Sequence, residues 1–121
     1  MNHSIYRISL DIHDISAPIA LRLKSEDTQR QIRATLMEKG LPYDITDDCS
    51  AAFTAQLPDG TVVREDCAIE DNTIIYNMSE QVSAADGKVD CEFVLTDTAS
   101  NRLTSPRFCL LVDPSIGGGQ A

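Results

Sequence analysis

Ser25-Glu-Asp-Thr-Gln-Arg-Gln-Ile-Arg-Ala-Thr-Leu-Met-Glu-Lys-Gly40 is the stretch on which the fold class turns. As a helix it has Ser25 for an N-cap, Ile32 and Leu36 one turn apart, and Gly40 to close the C-terminus. As a strand it sets Ile32, Ala34 and Leu36 on one face and Gln31, Arg33 and Thr35 on the other. Its composition favours the helix, while strands on either side of it favour a hairpin. Taken locally, the two readings balance.

Outward from this stretch the dominant period is two. Tyr6, Ile8, Leu10 and Ile12 alternate with Arg7, Ser9, Asp11 and His13. The pattern returns at Ile19-Leu21-Leu23, Ala51-Phe53-Ala55-Leu57, Ile74-Tyr76-Met78, Val89-Cys91-Phe93-Leu95 and Phe108-Leu110-Val112. Between the runs lie Lys39–Pro42, Pro58-Asp59-Gly60, Glu70-Asp71-Asn72, Asp86-Gly87 and Asp97–Asn101, all residues that tolerate positive φ or preset a turn. A short helical turn fits Ser79–Ala84. Short strands at this spacing predict an all-β antiparallel sandwich, immunoglobulin-like or jelly-roll-like, of about eight or nine strands. Its expected core is Ile8, Leu10, Leu21, Ile32, Leu36, Phe53, Leu57, Ile74, Tyr76, Val89, Phe93, Phe108 and Leu110. Residues 1–113 form the expected domain. Residues 114–121, with Gly117-Gly118-Gly119, are expected to be a flexible linker leading to a further C-terminal region.

The 121 residues suffice for one domain with its own core. Nineteen acidic against ten basic side chains give a net charge of -9, which argues against nucleic acid as a partner. The imbalance is local: residues 44–97 carry -11, and the segments on either side carry +1 each. There is no Trp and aromatics are 5%, so a stacking platform for sugars is not expected. No apolar run approaches the roughly 20 residues of a membrane span, and the N-terminus lacks a signal-peptide layout.

Residues with chemical potential are scattered. Cys49 and Cys67, and Cys91 and Cys109, are each 18 residues apart, without the close spacing of a zinc site, and are read as structural thiols. His3 stands alone near the N-terminus, and His13 is expected on the polar face of the first strand. No Gly-x-Ser-x-Gly elbow or phosphate-cradling glycine loop occurs. Asp44, Asp47 and Asp48 share one loop, a possible calcium arrangement that does not follow EF-hand spacing; a solvated Asx-type turn is the plainer reading. Glu65-Asp66 and Glu70-Asp71 read as a charged rim around Cys67-Ala68-Ile69. No catalytic, cofactor-binding or metal-ligating residue is assigned, and no enzyme activity is expected.

The order of motifs says more than any one of them. Gly40-Leu-Pro-Tyr-Asp-Ile-Thr46 is followed by Phe53-Thr-Ala-Gln-Leu-Pro-Asp-Gly-Thr61 and Ile75-Tyr-Asn-Met-Ser-Glu-Gln81. Asp86-Gly-Lys-Val89, Cys91-Glu-Phe-Val-Leu-Thr-Asp97 and Arg102-Leu-Thr-Ser-Pro-Arg-Phe-Cys-Leu-Leu-Val112 complete the series. This succession, over residues 4–113, resembles the N-terminal domain of the baseplate upper protein family of phages and prophages of Gram-positive bacteria. The resemblance tips the opening stretch towards a strand, because in the family a polar Asp-Thr turn, here Ser25-Glu-Asp-Thr28, leads into an alternating strand.

The resemblance implies a structural component of a phage tail baseplate, made in the bacterial host cytoplasm and located in the virion tail. It implies docking on the central tail hub, a link through a further C-terminal region to receptor-binding proteins, and a multimeric assembly. No cofactor and no catalytic residue come with it, and its docking residues do not transfer position by position. The alternative reading is a carbohydrate-binding module for the host cell wall.

Overall fold

The computed structural model describes residues 4–13, 19–24 and 30–113 of the chain. The described part of the balanced stretch is a strand from Arg30 to Glu38, followed by a turn at Lys39–Gly40. In order, the elements are β1 (Ser4–Asp11), β2 (Ala20–Lys24), β3 (Arg30–Glu38), β4 (Leu41–Pro42), β5 (Ser50–Gln56), β6 (Val62–Glu70) and β7 (Thr73–Asn77). Then come the single-turn helix α1 (Glu80–Ser83), β8 (Gly87–Thr96), β9 (Arg102–Thr104) and β10 (Phe108–Asp113). Along β3 burial alternates strictly, with Ile32, Ala34 and Leu36 at most 1% exposed. Its helix-favouring composition is overridden because β1 and β7 flank it and complete its backbone hydrogen bonding.

The strands run in the order β1-β3-β7-β6-β5-β8-β10-β2, with β4 added to β3 and β9 to β8. They form a nearly closed, barrel-like sandwich. β6 is the corner: Val62–Cys67 pair with β5 in the second sheet, and Ala68–Glu70 pair with β7 in the first. The opposite side is a seam between β1, at the edge of the first sheet, and β2, at the edge of the second. Both outer ladders, β1 with β3 and β2 with β10, are parallel, and the other seven are antiparallel. Alternation in sequence carries no strand direction. The parallel pairs arise because the chain leaves the first sheet after β1, borders the second as β2, and returns beside β1 as β3.

The two sheets meet over an aromatic cluster. Phe53 of β5 stacks on Tyr76 of β7 with ring centroids 3.8 Å apart, and Phe93 and Phe108 lie 5.7 and 6.3 Å from Phe53. All four rings are 1% exposed or less. Of the expected core only Leu21 is partly rather than fully buried. The expected turn helix is present, with Ser79 accepting from the Val82 amide as N-cap and Val82 itself fully buried.

β6 is a strand that the alternation does not predict, since the carboxylates around Cys67 read as a rim. Its inward positions are Val63, Glu65, Cys67 and Ile69, so a charged side chain interrupts the apolar period. Glu65 is tolerated there because its carboxylate accepts a hydrogen bond from the Tyr76 hydroxyl across the corner. Burial, and then that bond, push the Tyr76 hydroxyl well above its ordinary range, so it stays a donor. Residues 114–121, the expected linker, lie outside the described residues.

Candidate interaction surface

The potentially reactive side chains do not converge. His3 lies outside the described residues, as do the family-like turn residues Ser25–Thr28. His13 sits in the turn after β1 rather than on its polar face, with Nε2 3.1 Å from a Glu38 carboxylate oxygen. The four cysteines are free thiols. Cys91 is buried in the core, and Cys109 is buried on the opposite side of the second sheet, beside Asp90. Burial pushes the Cys67 thiol up to about 12, with Asp66 and Glu65 adding to the shift, which suppresses the reactive thiolate. Among the described residues no three His, Cys, Asp or Glu side chains group as a metal site, and no helix is long and apolar enough to cross a membrane.

What converges is a set of loops at one pole of the sandwich. The segment 43–49, the 71–72 turn between β6 and β7, and the 97–101 loop between β8 and β9 meet there. Asp71 and Asn72 both have positive φ (48° and 66°), which twists the turn to suit its strands. Asn72 then clamps the neighbouring segment: its Oδ1 accepts from the Ile45 amide at 2.6 Å and its Nδ2 donates to the Tyr43 carbonyl at 2.7 Å. Asp97 organises its own loop, accepting from the Ala99 and Asn101 amides at 2.9 Å each. A groove of about 540 Å³ opens between the first two loops, lined by Thr46, Asp47, Cys49, Cys67, Ile69 and Asn72 among others.

The loop of Asp44, Asp47 and Asp48 is thus part of a structural joint. Asp48 accepts from the hydroxyls of Thr46 (2.5 Å) and Thr98 (3.0 Å), tying two loops together. Those bonds, and one from the Thr98 amide, hold its carboxyl below the usual 3.8. The unfolded state therefore binds protons more readily than the folded one. Stability from Asp48 is complete above the unfolded value and is lost as pH falls through the lower folded value. Asp48→Asn is expected to flatten the decline of melting temperature below about pH 4; an unchanged acid limb would show that the joint contributes nothing.

The sequence signalled Asp71-Asn72 and Asp97–Asn101 as turns but not the clamps they make. Tyr43, Ile45 and Thr98 come within reach only when the strands are stacked. The pole carries Asp44, Asp47, Asp48, Glu70, Asp71 and Asp97 against Lys39 and Arg102, so the excess of acid at residues 44–97 becomes a spatial feature. It is a preshaped, carboxylate-rich surface suited to contact with another macromolecule.

Comparison with known proteins agrees with this architecture. The family model described as the BppU N-terminal domain matches residues 4–120. No curated protein matches the chain in sequence. Among solved structures the chain is similar to the N-terminal domain of phage TP901-1 ORF48, with a TM-score of 0.73 and 16% identity over 91% of this chain and 98% of that one. At that identity the likeness concerns the fold.

Proposed function

Since the chain belongs to the BppU N-terminal domain family, we propose that it is the attachment domain of a phage baseplate protein, docking on the central tail hub. Chain beyond the domain would then carry receptor-binding proteins outward. The coarser part of this role, a structural component of a phage baseplate in the virion tail, follows from the family itself. The observation that carries the reading is that the family match spans essentially the whole sandwich, residues 4–120.

The geometry supports contact rather than catalysis. The pole loops are held by side-chain bonds, which lowers the ordering cost of docking. The domain is read as non-catalytic: of its candidate loop, Asp48 is engaged in joining Thr46 and Thr98, while Asp44 and Asp47 are exposed to solvent. Sugar recognition is disfavoured because Phe53, Phe93, Phe108 and Tyr76 are in the core, leaving only the half-buried Tyr6 and Tyr43 as aromatics near the surface.

Titration calorimetry of this chain with the tail hub protein of the same phage tests the proposal. Saturable binding with a dissociation constant of about 10 μM or tighter is expected. A folded domain that leaves the hub unbound but binds host cell-wall polysaccharide would replace this reading with the carbohydrate one.

A further inference from the structure

The outer face of the first sheet carries a pair of like charges that no ion pair among the described residues offsets. Arg7 of β1 and Arg33 of β3 stand directly opposite each other in the parallel ladder. Both point outward, since their neighbours Ile8 and Ala34 are buried. Like charges so placed destabilise a strand pair, and a chain with ten basic residues had other arrangements open to it. Neither arginine makes an ion pair among the described residues. Among the described residues the acids of this face are distant in the lattice of the sheet: Asp11 is four residues along β1, and Glu70 is on β6, two strands from β3. Arg33 is held in place, its Nε donating to Gln31 Oε1 at 2.6 Å while Gln31 Nε2 donates to Asn77 Oδ1 at 2.8 Å. The same face exposes Ile5, at 41%.

We propose that this face, at Arg7 and Arg33, docks the carboxylate-rich pole of a second copy of the chain. Two arginines in register on adjacent strands offer guanidinium donors to carboxylates, and the pole presents Asp44 and Asp47 exposed at the tip of a clamped loop. Each molecule carries both surfaces on different sides, so the contact is head to face and heterologous. Such contacts close into rings or propagate as open arrays. At about 0.1 M salt the screening length is about 10 Å, so charges at the contact outweigh the repulsion between the two net charges. The inference does not depend on hub docking, and its failure would leave that reading intact.

Sedimentation of this chain across a concentration series tests it. In about 0.1 M salt the apparent mass is expected to rise above the 13.2 kDa of one copy, and in about 0.5 M salt to return to it. Arg7→Glu/Arg33→Glu and Asp44→Lys/Asp47→Lys are each expected to remain single copies with near-wild-type melting. Mixing the two variants, whose charges are exchanged, is expected to restore association. A wild type that stays at one copy throughout, association that survives the arginine changes, or a mixture that fails to associate would each overturn the proposal.

Discussion

Phe53→Ala is expected to cost about 3–5 kcal/mol, a fall in melting temperature of roughly 12–20 °C at about 4 °C per kcal/mol. Phe53 is fully buried on the central strand β5, opposite Phe93 in register. Its ring stacks on Tyr76 from the other sheet, so truncation removes contacts that join the two layers. It also removes an apolar neighbour of Glu65, its partner on β6, and so loosens the corner where Tyr76 and Glu65 bond. Phe53→Leu, which keeps most of the volume, is expected to cost less than about 1.5 kcal/mol. Thermal unfolding followed by circular dichroism measures both. An alanine variant melting within about 3 °C of wild type would mean that the cluster does not hold the sheets together.

Asn72→Ala is the second large effect, about 2–4 kcal/mol from two sources. One is the left-handed backbone, φ 66°, which costs alanine about 1 kcal/mol. The other is the loss of partners for the Ile45 amide and the Tyr43 carbonyl, each about 1 kcal/mol or more where water enters poorly. Asn72→Gly keeps the conformation and loses only the bonds, so the difference between the two variants isolates the strain. Hydrogen exchange gives a local readout: the Ile45 amide should lose protection in both, while the β5 and β8 amides keep theirs. Unchanged exchange at Ile45 would show that the clamp is unnecessary to the pole. Any contact made through the pole would weaken as well, because loop order would then be imposed on binding.

Family membership and pole geometry answer different questions. The family identifies a baseplate component, and the geometry shows how one end of it is stiffened: Asn72 fixes segment 43–49, Asp48 joins it to Thr98, and Asp97 shapes its own loop. All three are polar residues in turns, where a side chain can satisfy backbone groups that no strand reaches.

The sequence alone determined the β class for the segments with unbroken alternation, because period-two burial requires only that one face meet a core. It also determined the turns at Lys39–Gly40 and Asp71–Asn72, whose residues adopt positive φ as expected. It could not decide the stretch from Ser25 to Gly40, where composition and alternation disagreed; β1 and β7 decided its Arg30–Glu38 part by supplying hydrogen-bond partners. It concealed β6, because Glu65 is acceptable inside only once Tyr76 approaches from the other sheet. The two parallel ladders, the convergence of acids at one pole, and the placement of Arg7 against Arg33 were likewise tertiary decisions. Each depends on which strands become neighbours, and strand pairing joins residues far apart in the chain whose local patterns carry no record of one another.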